Sequence, residues 1–137
     1  MTDSGDNIHV LYVDGDAGDG ADALEGADGR LRVTTATTGS EGLSLLGERQ
    51  FDCAVVEYDL PDRSGVDLVA SIRAERSPIP VVMFTGVGSE TVASEALGAG
   101  AADYLPKDGD GDRYAELAGR LRRAVTANRV ATTAADR

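Results

Sequence analysis

The chain holds one lysine (Lys107), one cysteine (Cys53), one histidine (His9) and no tryptophan. A lone cysteine excludes an intrachain disulfide and any cysteine-cluster metal site. Cys53, set in the apolar run CAVV, reads as a small buried hydrophobe. No apolar run approaches the roughly 20 residues needed to cross a bilayer. The opening MTDSGDNIHV lacks a basic segment followed by an apolar one, so no secretory signal is expected and a cytoplasmic location is. Positive charge is scarce: 13 Lys and Arg stand against 24 Asp and Glu, for a net charge of −11. Such a surface repels nucleic-acid backbones, which argues against direct nucleic-acid binding.

Carboxylates are abundant, and twelve of the 13 basic residues are arginine. With the wealth of Ala, Gly and Thr, this composition is similar to that of proteins from halophilic archaea. In high salt a dense carboxylate surface stays soluble while its self-repulsion is screened. At 137 residues the chain fits one domain with a proper core.

Strand-like and helix-like stretches alternate along it. Strands are expected at Ile8–Val13, Leu31–Thr35, Cys53–Val56, Ile79–Thr85 and Ala102–Leu105. Helices are expected at Thr38–Arg49, from Ser64 through Arg76, at Ser89–Ala99 and at Asp112–Asn128, the last with the clearest amphipathic spacing. Ala17–Ala27 is a poorer candidate, diluted by Gly18, Gly20 and Gly26 at about 1 kcal/mol each. Apolar strands joined by helices predict an α/β fold with a doubly wound parallel sheet and helices on both faces. Its ligand edge should lie at the carboxyl ends of the strands. The expected organisation is a disordered segment over 1–7, one domain over 8–126, and a frayed tail or linker over 127–137.

The residues at those strand ends carry the chemistry. The first strand ends on Asp14, the third on Glu57 and the fourth on Thr85, and the fifth runs into Lys107. One sheet edge should therefore gather two carboxylates, a hydroxyl and the only ammonium side chain. Each has a plainer reading. Asp14-Gly15 favours a tight turn, Thr85 can cap the next segment, Lys107 can be a surface charge, and Tyr104 can be core. Pro61 and Gly65 read as loop-shaping residues. His9 lies at the far end of its strand and reads as inert, and Arg120, Arg122 and Arg123 read as a solvated helix face.

Taken in order, the acidic end of the first strand, Glu-x-x-Leu-Pro-x-x-x-Gly at 57–65, Thr85-Gly86, and Tyr104 three residues before Lys107 resemble the receiver domains of two-component response regulators. The resemblance runs from about Ile8 to Val125. It implies a flavodoxin-like five-stranded sheet of order 2-1-3-4-5. It also implies a role in phosphorelay signal transduction, exercised by binding rather than as an enzyme. In that family two adjacent acids and a third-strand Asp bind Mg²⁺, and that Asp takes a phosphoryl group from a histidine kinase. The metal offsets phosphoryl charge, and Thr and Lys contact the phosphoryl oxygens. Carried over, Glu57 stands at the phosphoacceptor position with Thr85 and Lys107 beside it, and Thr85 and Tyr104 form the switch. Asp14, Asp16 and the backbone carbonyl of Asp59 are the candidate metal ligands. The fourth helix, fifth strand and fifth helix form the protein-docking face, with a homodimer among its possible uses.

The sequence departs from the pattern at both acids. Gly15 replaces the family's second acid, and Glu57 replaces its Asp. One extra methylene carries the Glu57 carboxylate toward the space of a phosphoryl group, and its single charge partly replaces a phosphate's roughly −1.5 to −2. The expectation is an atypical, pseudo-receiver module that is independent of phosphorylation, with Mg²⁺ binding weak or absent. The alternative is a Mg²⁺-dependent phosphoacceptor still served by a histidine kinase. Also in the family, a cis proline commonly follows the lysine; here Pro106 precedes Lys107. A flavin-binding or enzymatic use of the same fold is opposed by the lack of a Gly-x-Gly-x-x-Gly or Walker-type loop.

Overall fold

The computed structural model describes residues 7–75, 77–108 and 112–135. Residues 1–6 of the segment expected to be disordered, the expected end of the third helix at Arg76 and the last two residues lie outside them. Strands β1 (Ile8–Val13), β2 (Leu31–Ala36), β3 (Cys53–Val56), β4 (Val81–Thr85) and β5 (Asp103–Pro106) alternate with helices α1 (Ala17–Ala27), α2 (Gly39–Glu48), α3 (Gly65–Ala74), α4 (Glu90–Ala99) and α5 (Arg113–Ala135). The strands form one sheet of order β2-β1-β3-β4-β5, and every pairing is parallel. This is the doubly wound parallel sheet that the alternation of strands and helices predicts, in the flavodoxin-like order that the family resemblance implies.

Period-two alternation sends successive strand residues to opposite faces. Val10, Tyr12, Val55, Val82, Phe84 and Leu105 pack under α1 and α5. Leu11, Val13, Val56, Val81 and Met83 pack under α3 and α4, with leucines of α2 at the margin. Four helices start on side-chain caps: Thr38, Ser64, Ser89 and Asp112 each accept a hydrogen bond from an amide of the first turn, satisfying a donor the helix cannot pair internally.

Two glycines are explained by close approach. A Cβ on Gly20 would lie 2.4 Å from the Tyr12 hydroxyl, so the weak helix former is what lets α1 seat against β1. A Cβ on Gly65 would lie 2.2 Å from the Glu57 carbonyl, so only glycine lets α3 begin directly beneath the end of β3. Helix α1 forms despite its three glycines because Ala17, Gly20, Ala21 and Leu24 are buried together on one face. Tertiary burial outweighs propensity there.

Two expectations need correction. The stretch from 127, expected as a frayed tail or linker, is helical as far as Ala135. No Gly or Pro interrupts the chain after Gly119, and alanine is the best helix former. The arginines of α5 are not merely a solvated face. Arg120 pairs with Asp103 and Glu116 at 2.8 and 2.9 Å, and Arg122 pairs with Asp28. They tie α5 to β5 and to the α1–β2 turn. Among the described residues no helix is long and apolar enough to cross a membrane.

Candidate functional site

The sheet reverses its winding between β1 and β3, and their register aligns Val13 with Val56. The next residues, Asp14 and Glu57, therefore stand side by side. Backbone bonds hold them: Asp14 N donates to Ala36 O at 3.0 Å, and Glu57 N to Val13 O at 2.9 Å. On the other side β4 aligns Thr85 with Pro106. The Lys107 amide continues that ladder to Thr85 O at 2.8 Å. Pro106 thus closes β5 without breaking the pairing that delivers Lys107.

The side chains converge. Lys107 Nζ lies 2.7 Å from Asp14 Oδ2 and 2.9 Å from Glu57 Oε1. The Thr85 hydroxyl donates to Glu57 Oε2, an oxygen that also accepts from the Tyr58 amide at 2.6 Å. Both Glu57 oxygens are thus engaged. The three polar groups are buried, with Asp14 6% exposed, Glu57 8% and Thr85 0%. The burial is tolerated because each is bonded and the two carboxylates share a cation. Burial works to lower the Lys107 pKa, but its bonds to Asp14 and Glu57 and their charges outweigh this and raise it above the usual lysine value.

Thr85 takes both roles open to it, since its hydroxyl also accepts from the Val87 amide at 3.0 Å. Tyr104 lies partly buried against the α3/α4 face. Its hydroxyl accepts from the amide of Ser89, the cap of α4, at 3.1 Å. Asp16 and Asp59 line the same cleft of about 410 Å³, with Gly15, Pro61, Gly86 and Val87 around its mouth. Asp16 precedes α1 without capping it by its side chain, and its amide donates to Asp14 Oδ1 at 3.0 Å. His9 is exposed at the start of β1, at the opposite end of the sheet. A larger groove of about 490 Å³ also lies at that end. Its Arg73 is already bonded to the backbone carbonyls of Gly100, Ser77 and Ile79, and no reactive groups converge there.

Asp14 has Oδ1 bonded to an amide and Oδ2 to Lys107, and Gly15 offers no side chain. Among the described residues no group of three or more His, Cys, Asp or Glu is placed to hold a metal ion.

Two features escaped the sequence reading. Asp62, in the loop after Glu57, accepts from the amides of Gly39 and Ser40 at 2.8 and 3.0 Å and so clasps the start of α2. Phe84 places its ring 5.6 Å below the Lys107 ammonium. A loop acid signals nothing by position. A ring beside Thr85 is visible in FTG only once Lys107 is known to fold over it.

Comparison with known proteins identifies the family. Residues 20–118 match the response regulator receiver domain. The chain is 40% identical to the response regulator protein PilR of Pseudomonas aeruginosa over 110 residues, 79% of this chain and 24% of the relative. It is 38% identical to the KDP operon transcriptional regulatory protein KdpE of Escherichia coli over 115 residues, 83% of this chain and 48% of the relative. The chain thus spans between about a quarter and a half of these two proteins. Among solved structures, a CheY-like response regulator receiver domain from Methanospirillum hungatei superposes with a TM-score of 0.77 at 25% identity, covering 90% of this chain and 97% of that one.

Proposed function

The chain belongs to the response regulator receiver domain family, and we infer that its general role is that of a signalling module in a phosphorelay. We propose that it signals without being phosphorylated. In this reading Glu57 stands in for aspartyl phosphate, and the domain acts by binding a protein partner through α4, β5 and α5. The observation that carries the reading is the double engagement of Glu57, with Lys107 on one oxygen and Thr85 on the other. Those are the two side chains that the family resemblance assigns to a phosphoryl group. With the single permanent charge of Glu57 in place of a phosphate's, and no second acid at Gly15, the module has less need of a metal. Any Mg²⁺ held by Asp14, Asp16 and the Asp59 carbonyl would be bound weakly. The same proposal includes a halophilic origin, which rests on composition.

The second reading is a receiver that a histidine kinase still phosphorylates in a Mg²⁺-dependent step. The relatives favour it, since PilR and KdpE bear the names of response and transcriptional regulators. What separates this chain from that reading rests on Gly15 and Glu57 alone.

Intact-mass measurement after incubation with acetyl phosphate and Mg²⁺ decides between them. The first reading expects no added phosphate. A phosphate adduct on the wild type that vanishes in Glu57→Gln establishes the second. A further arm tests the mimicry itself: Glu57→Asp shortens the reach to Lys107 and Thr85, so amide chemical shifts over residues 90–105 should move. If they stay fixed, Glu57 does not set the state of that face.

A further inference from the structure

The cation of the cleft also rests on the core. Phe84 is 1% exposed, and its ring centroid lies 5.6 Å from Lys107 Nζ. An ammonium at that distance is attracted by the ring's negative face, more strongly where water is partly excluded, and the Lys107 side chain is only 28% exposed. The two carboxylates fix where the charge ends but not the path of a flexible four-carbon stem. An apolar floor beneath the stem removes alternatives.

Strand alternation gives this contact a direction. Thr85 and Phe84 are neighbours on β4, so their side chains leave the sheet on opposite faces. Thr85 faces the α3/α4 side. Phe84 belongs to the cluster under α1 and α5. There it packs edge-to-face against Tyr114 in the first turn of α5, with centroids 5.3 Å apart and planes at 72°. The cation therefore rests on a ring of the α1/α5 core, while Thr85, the neighbour of that ring on β4, bonds the same Glu57 that Lys107 pairs with.

The geometry points to Phe84 as a positioning residue for Lys107. Its ring holds the ammonium where it bridges Asp14 and Glu57, and its contact with Tyr114 ties the start of α5 to the state of the cleft. This assignment holds whether Glu57 is phosphorylated or stands in for a phosphate.

The lone lysine makes the test clean, because lysine labelled with ¹³C and ¹⁵N gives a single side-chain signal by NMR. In the wild type the ε-methylene protons should show a ring-current shift that disappears in Phe84→Leu. A graded series of fluorinated phenylalanines keeps the ring's shape and weakens its negative face. Incorporated in a Phe51→Leu background, where Phe84 is the only phenylalanine left, it should speed ammonium hydrogen exchange about two- to five-fold. Tyr114→Leu should also move the Lys107 signal. A ring that only fills space would leave exchange unchanged across the fluorinated series, and that result overturns the assignment even if Phe84→Leu fails to fold. A Lys107 signal indifferent to Tyr114→Leu overturns the link to α5.

Discussion

At the scale of single residues, the cleft is decided by one missing side chain and one methylene too many. A Cβ on Gly15 would meet only Pro61, at 3.7 Å, an ordinary contact. An acid can therefore be restored there without disturbing the fold. Gly15→Asp should bind Mg²⁺ measurably more tightly than the wild type in a titration at fixed ionic strength. Equal affinities, or saturable micromolar binding by the wild type, would show that the glycine is not what limits the site. Lys107 carries the opposite burden. Removing it leaves Asp14 and Glu57, both nearly buried, as neighbouring carboxylates without their shared cation. Loss of one partner from a buried pair costs about 3–5 kcal/mol. Lys107 is partly open to water, so Lys107→Ala should cost about 1–3 kcal/mol in urea unfolding. Adding Glu57→Gln should recover part of that loss, and a strictly additive double variant would mean that the pair is not coupled.

At the scale of elements, the loop that follows Glu57 is fastened to α2 rather than left to its own turn. The carboxylate of Asp62 bonds the Gly39 and Ser40 amides and the Ser40 hydroxyl, and Arg63 bonds the same Ser40 hydroxyl. Bonds from Gly39 and Ser40, with the Arg63 charge, hold the Asp62 carboxyl at about 2, below its ordinary 3.8. A carboxyl that titrates lower in the folded state contributes fully above 3.8 and loses that contribution as pH falls toward 2. Asp62→Asn should therefore flatten the acid limb of the stability curve between those values and speed amide exchange at Gly39 and Ser40. An unchanged limb would place the acid sensitivity elsewhere, Asp28 being the other carboxyl held at about 2.

Most elements were legible because apolar runs and Ser or Thr caps are local signals. The strand ends were legible because a parallel sheet brings all of them to one edge, so Asp14, Glu57, Thr85 and Lys107 could be grouped before any coordinate was known. The Asp62 clasp, the Arg122–Asp28 pair and the Phe84 floor were not legible. Each joins residues more than twenty positions apart through side-chain direction, which periodicity does not encode. The length of α5 was missed for another reason: none of residues 126–131 is buried, so no apolar pattern marks the continuation beyond Val125, and alanine propensity carries it.

At the scale of the whole molecule, the net charge of −11 is held on a small surface. The arginines in ion pairs neutralise acids such as Asp28, Asp52, Asp103 and Glu116. On the exposed face of α1, Asp19 and Asp22 have no such partner among the described residues. Their repulsion acts over the Debye length, which shrinks from ~10 Å at ~0.1 M salt to ~3 Å at ~1 M. Surface ion pairs contribute little and lose little on screening, and the Lys107 pairs are too sheltered to be screened strongly. Relief of repulsion should win, so the urea midpoint should rise as KCl goes from ~0.1 to ~1 M. A protein of ordinary surface charge would gain less. The double variant Asp19→Asn with Asp22→Asn separates repulsion from general salt effects. It should start more stable than the wild type at low salt and gain less from added KCl. If wild type and variant gain equally, salt is acting through hydration and not through charge. If the wild-type midpoint falls with salt, the acidic surface is not an adaptation to it.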